Sequence, residues 1–147
     1  MAEVNFDRLT ILLIDDEPFM RSLLERVLFE FGTRNILNAE NGEEGLRIVR
    51  TRKKIDLIIC DLEMPTVDGF AFVRELRRDQ DAKIAATPVL ILTGHSDEEN
   101  VHDALSLGIN GFLVKPISKG ALESRVSSAL KSPPIDPSRL GKRARVC

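Results

Sequence analysis

Apolar and polar positions along the chain follow two alternating rhythms. Short apolar runs occur at Leu9–Ile14, at Ile55–Cys60 with Asp56 as the exception, and at Thr87–Thr93. Runs this short without polar alternation mark strands buried on both faces of a parallel sheet. Arg34–Ala39 and Gly111–Val114 are shorter candidates of the same kind. Between the runs, apolar residues recur at helical spacing. Met20, Leu23, Leu24, Val27, Leu28 and Phe31 form one stripe, opened by Pro18 and closed by Gly32. Leu46, Ile48 and Val49 follow an Asn41-Gly42 turn and lead into basic Arg50–Lys54. Phe70, Phe72, Val73 and Leu76 predict a third helix, with Arg77 and Arg78 complementing its negative end. Ser96 or Asp97 caps a fourth that Gly108 ends, and Leu122, Val126, Ala129 and Leu130 belong to the last.

Strand and helix therefore alternate five times without an internal repeat. This predicts an α/β protein: a doubly wound, five-stranded parallel sheet with helices on both faces. The chain of 147 residues fits one domain with a full core. That domain is expected over residues 8–131. Residues 132–147 are proline-containing and aperiodic, and read as a flexible C-terminal tail.

Composition narrows the class. At 43% hydrophobic and 30% charged residues the chain is an ordinary globular protein. Its net charge of -2 offers no global attraction to nucleic acid or anionic membrane. The Lys142–Arg145 run "KRAR" is too short to change that. No segment is long and apolar enough to insert in a bilayer, and the N-terminus lacks signal-peptide order. Cys60 lies within a buried run and Cys147 is the last residue, so they are a poor disulfide pair. Free thiols suit a reducing compartment, which predicts the cytoplasm.

Candidate chemistry gathers at one edge of the predicted sheet. Asp15 and Asp16 follow the first strand, Asp61 ends the third, Thr93 ends the fourth and Lys115 follows the fifth. Alone, each carboxylate is ordinarily a helix cap or turn residue. Thr93 alone is a strand-end residue and Lys115 alone a solvated one. In a sheet ordered 2-1-3-4-5 all five converge on one crevice at the carboxyl ends of the strands. Three carboxylates in one place repel one another unless a cation joins them. Hard oxygen ligands in an open site suit Mg²⁺, which shares its shell with water and phosphate oxygens.

The motifs "LLIDDEP", "DLEMPTVDG", "LTGH" and "GFLVKP", in this order and spacing, resemble the response-regulator receiver domain of two-component signalling, in its single-domain chemotaxis-type form. The resemblance runs from about Thr10 to Lys131. It implies a flavodoxin-like (βα)5 fold and a phosphoacceptor module that catalyses only its own phosphorylation and dephosphorylation. Asp61 would take a phosphoryl group from a sensor histidine kinase or a histidine phosphotransfer protein. Asp16, Asp61 and the backbone carbonyl of Glu63 would ligate Mg²⁺, with Asp15 acting mostly through water. Lys115 would pair with the phosphoryl oxygens. Thr93 would hydrogen-bond one of them, and Phe112 would turn inward as Thr93 moves. The Lys115–Pro116 bond would be cis. Glu63 and His95 occupy positions that tune phosphoryl lifetime in this family, although an exposed loop histidine is an equal reading of His95. The message would leave through an output protein or a self-dimer on the face made by the fourth helix, fifth strand and fifth helix.

Three other readings compete. An aspartyl phosphatase would put its two acids two residues apart, whereas Asp15 and Asp16 are adjacent. A flavodoxin-like cofactor binder would carry small hydroxyl residues or glycine in its first loop, which "DDEP" lacks. A receiver that signals without phosphate would be expected to have lost part of the five-residue set.

Overall fold

A computed structural model describes residues 4–51, 54–65, 67–94 and 108–133. Five strands, β1 (Thr10–Ile14), β2 (Asn35–Ala39), β3 (Leu57–Asp61), β4 (Val89–Thr93) and β5 (Gly111–Val114), form one parallel sheet ordered β2-β1-β3-β4-β5. The helices are α1 (Pro18–Glu30), α2 (Gly42–Thr51), α3 (Gly69–Arg77), a single turn α4 (Ala82–Ala85) and α5 (Lys119–Lys131). The predicted doubly wound α/β architecture and strand order are what the chain adopts. The predicted helix from Ser96 or Asp97, with Val101, His102, Asp103, Ala104 and Leu105, lies outside the described residues, as do His95 and residues 134–147 of the expected tail, Cys147 included.

The apolar runs become strands because both faces of the sheet are covered. β3 and β4 are buried at every residue, and β1 at all but Thr10. Alternate side chains feed two separate cores. Ile11, Leu13, Leu57, Ile59, Leu90 and Leu92 pack against Leu24 and Leu28 of α1 and Leu122, Val126 and Ala129 of α5. Leu12, Ile14, Ile58, Cys60, Val89 and Ile91 pack against Val49 of α2 and Phe72, Val73 and Leu76 of α3. The edge strands β2 and β5 are only partly covered, which explains their weaker apolar signal.

Local chemistry sets the element ends. Gly32, at φ +108°, closes α1: its N–H bonds Phe29 O at 2.9 Å and Thr33 N–H bonds Leu28 O at 3.0 Å, a paired C-terminal cap that favours glycine. Asp68 caps α3 by accepting from Ala71 N–H at 2.8 Å, and Ser118 caps α5 by accepting from Ala121 N–H at 3.1 Å. The fourth strand begins at Val89, two residues later than the apolar run predicts. Thr87 turns its hydroxyl to Ile84 O at 2.8 Å, and Pro88, lacking an N–H, contributes its carbonyl to Ile58 N–H at 2.9 Å.

Two features escape the periodicity. A short 3-10 helix, Phe6–Arg8, sends Phe6 into the core against Phe31, with ring centroids 5.2 Å apart. Arg77 is not a solvated residue at a helix end. Its buried guanidinium donates to Gly108 O, Ala85 O and Thr87 O.

Candidate functional site

The strand order brings the ends of β1, β3, β4 and β5 side by side, and the predicted residues arrive with them. Asp61 is the last residue of β3 and is buried. The residue after it is held through both of its backbone groups: Leu62 N–H bonds Leu92 O at 2.8 Å and Gly69 N–H bonds Leu62 O at 2.9 Å. Gly69 has no room for a side chain, since a Cβ there would lie 2.7 Å from Asp61 O and 2.9 Å from Leu62 Cα. The close approach of α3 to β3 therefore requires glycine.

Asp15 follows β1 and is fully buried. One carboxylate oxygen accepts from Glu17 N–H at 2.9 Å, while Oδ2 is buried with no hydrogen-bond partner. Arg21 donates from Nη1 to the Asp15 carbonyl at 2.5 Å. Asp16 is exposed beside it. Thr93 ends β4 and is buried, with its carbonyl accepting from Lys115 N–H at 2.8 Å. Lys115 follows β5, its peptide bond to Pro116 is cis, and its Nζ lies 3.2 Å from Asp61 Oδ1.

Oxygen atoms of Asp15, Asp16, Glu17 and Asp61 lie within 4.8 Å of one another. Glu17 is absent from the sequence candidates. Its signal was its place as the third acid in "DDE", which the helix-start reading of Pro18 obscured. Glu63 is exposed beyond β3, and its backbone N–H bonds the Asp61 carboxylate. Phe112 pairs with Ile91 in register and packs, partly buried, on the α2–α3 side of the sheet.

The electrostatics follow from burial and crowding. Burial pushes the Asp15 carboxyl up to about 6; its hydrogen bond from Glu17 N–H and the charge of Lys115 work against this, and Asp61 and Glu17 add to it. Asp61 is also raised, first by burial and then by Asp16, despite the pull of Lys115 and Glu63 N–H. Burial alone would lower the Lys115 ammonium, but Asp61, Asp15 and Glu17 more than reverse that and raise it. Cys60, beside Asp61, is buried and driven well up by burial, so it is a thiol in the core with no nucleophilic role.

A family model described as the response regulator receiver domain matches residues 11–127. A curated relative from Rhizobium etli, named "Probable chemotaxis protein CheY", is 36% identical over 129 residues, covering 85% of this chain and 97% of that one. The solved structure of the chemotaxis protein CheY4 of Vibrio cholerae superposes with a TM-score of 0.76 at 29% identity, covering 83% of this chain and 98% of that one. The receiver domain of the sensor histidine kinase PA1611 of Pseudomonas aeruginosa, whose structure has a magnesium ion in the active-site cleft, gives a TM-score of 0.74 at 25% identity, covering 84% and 98%. The chain spans about half the length, or less, of the transcriptional regulators among its curated relatives. Among the described residues no helix is long and apolar enough to cross a membrane.

Proposed function

The chain belongs to the response regulator receiver domain family, and from that premise we propose that residues 8–131 act as a phosphoacceptor switch whose acceptor is Asp61. The observation that carries this reading is the buried Asp61 carboxylate with Lys115 Nζ at 3.2 Å, facing further carboxylates across one crevice. The donor is a histidine kinase or histidine phosphotransfer protein.

A carboxylate is a competent nucleophile once it is positioned and its charge offset. Phosphoryl transfer needs chiefly those two things. β3 and the Gly69 contact fix Asp61, so that an oxygen faces the incoming phosphorus. Lys115 meets the phosphoryl oxygens as they arrive. Thr93, at the end of the neighbouring strand, offers its hydroxyl to one of them.

The residues fit a divalent ion. Asp15 Oδ2 is a buried, unpartnered oxygen, and a lone pair left without a proton or a cation there is costly. Asp16, Asp61 and the Glu63 carbonyl would hold Mg²⁺, with Asp15 supporting through water. Bound there, Mg²⁺ would neutralise part of the charge on the transferring group.

Movement of Thr93 toward a phosphoryl group would free space for Phe112, which lies on the same face of the sheet. With Pro116 bounding the turn, this would shift the surface formed by the segment between β4 and β5, by β5 and by α5. An output protein, or a second copy of the chain, would read that surface; neither nucleic acid nor membrane insertion is part of this reading. Glu63 and His95 would tune how long the phosphoryl group survives, in a cytoplasmic setting.

The test is labelling of the full chain by a phosphorylated kinase, or by a small phosphodonor with Mg²⁺. Intact mass should rise by one phosphoryl group in the parent and not in Asp61→Asn. Equal labelling of the variant would reject Asp61 as the acceptor.

A further inference from the structure

Glu17 sits at the position where a side chain ordinarily caps a helix, in extended backbone before α1, yet its carboxylate makes no cap hydrogen bond. It leans over the site instead. Oε1 lies 3.8 Å from Lys115 Nζ, so that one ammonium faces both Glu17 and Asp61. A Glu17 oxygen is also within 4.8 Å of oxygens of Asp15, Asp16 and Asp61. Unlike Asp61, Glu17 is 62% exposed, which puts its charge at the mouth of the crevice and not at its floor. A neighbouring cleft of about 340 Å³, lined by Asp16, Glu40 and Glu43 among others, adds charge of the same sign to the approach.

We infer that Glu17 determines donor specificity: it opposes dianionic acyl phosphates and spares donors whose phosphorus is bonded to a positively charged nitrogen. The inference rests on Asp61 being the acceptor. In either transfer a carboxylate oxygen of Asp61 bonds phosphorus while the bond from phosphorus to the leaving group breaks, and the leaving atom keeps the electron pair. Attack from the floor sends the leaving group toward the mouth, because the two lie roughly in line. Acetyl phosphate releases acetate, an anion, past Glu17. Phosphoramidate, whose nitrogen is already protonated at neutral pH, releases neutral ammonia, and its nitrogen carries positive charge while bound. Glu17 repels the first departure and attracts the second donor. It also competes with incoming phosphoryl oxygens for Lys115, a cost that the cationic nitrogen offsets.

The experiment compares initial labelling rates with acetyl phosphate and with phosphoramidate, in Mg²⁺ at neutral pH, for the parent, Glu17→Gln and Glu17→Asp. Neutralising one exposed charge at this range should raise the acetyl phosphate rate roughly three- to tenfold and change the phosphoramidate rate less than about twofold. Glu17→Asp, which keeps the charge, should keep the parent's ratio. Equal acceleration by both donors, or a ratio that moves less than about twofold in Glu17→Gln, overturns the inference. Calorimetric Mg²⁺ affinity should stay within about threefold; a loss beyond about tenfold would make Glu17 a metal ligand and overturn it as well. A folded parent labelled by neither donor defeats the acceptor reading together with this one. A labelled parent with an unmoved ratio defeats this one alone.

Discussion

Lys115 Nζ and Asp61 Oδ1 stand 3.2 Å apart, and both side chains are largely shielded from water. The pair is unequal. Asp61 still has its carboxyl raised, because burial outweighs the attraction of Lys115. Lys115 has its ammonium raised, because the surrounding carboxylates outweigh its own burial. The cation is therefore firmly held in its charged form beside a carboxylate that is costly to ionise. Lys115→Ala removes the side-chain charge and hydrogen bond that favour ionised Asp61. Its carboxyl should titrate higher still in an NMR titration. Labelling by a small phosphodonor should slow by about ten- to a hundredfold, since a charge-stabilising group at the transferring phosphoryl is gone. A labelling rate within about twofold of the parent would remove Lys115 from the chemistry.

Asp15 predicts a pH dependence of stability in metal-free solution. Its carboxyl is raised to about 6 from an ordinary 3.8. Between those values the folded chain binds more protons than the unfolded chain, so stability falls as pH rises through this window. Asp61 shifts in the same direction. In chelator, the parent should be less stable at pH 7 than near pH 4 as far as these groups determine it. Asp15→Asn removes the charge at nearly constant shape. It should raise stability at pH 7 by about 2 kcal/mol, with the gain shrinking toward pH 4. Denaturant unfolding at the two pH values measures this. Added Mg²⁺ should stabilise the parent more than the variant.

The parts of the fold that were legible in the sequence are those whose signal is local. β1, β3 and β4 are unbroken apolar runs because the sheet is covered on both faces, and the strand-end acids, Thr93 and Lys115 could be placed once the strands were. Phe6 was missed because a lone aromatic in a polar segment carries no periodicity, and its burial depends on Phe31, distant in sequence. Arg77 was read only as a cation complementing the negative end of its helix, because its partners are carbonyls, which leave no trace in side-chain pattern. One of them, on Gly108, is 31 residues away. Glu17 was hidden by its position at a helix start, where an acid has an ordinary explanation.

Arg77 should carry much of the stability at the end of the sheet opposite the site. Its Nε and Nη2 donate to Gly108 O at 3.0 and 2.6 Å, and Nη1 donates to Ala85 O at 2.8 Å and Thr87 O at 2.7 Å. Burial lowers the guanidinium to about 10, so it remains charged at neutral pH. The fork reaches three carbonyls that a compact ammonium cannot span together. Arg77→Met leaves those carbonyls without this donor and should cost about 3–5 kcal/mol in denaturant unfolding. Arg77→Lys should recover less than half of that loss. Labelling of the folded fraction should stay within about twofold of the parent, since no atom of Arg77 joins the crevice.

Gly69 and Gly120 should respond in opposite directions to the same substitution. A methyl group on Gly69 would meet Asp61 O and Leu62 Cα, both backbone atoms that no rotamer change can move aside. Gly69→Ala must therefore push α3 away from β3, or displace the end of β3 itself. The expected cost is about 2–4 kcal/mol. Because Asp61 is the residue displaced, labelling of the folded fraction should also slow by about tenfold, as loss of reactant alignment does. Gly120 lies in the first turn of α5, where an added Cβ meets nothing within 4 Å. There alanine only reduces the freedom of the unfolded chain and improves helix propensity. Gly120→Ala should stabilise by about 0.5–1 kcal/mol and leave labelling unchanged. If both variants lose stability alike, the close approach of α3 to β3 is not what requires glycine at position 69.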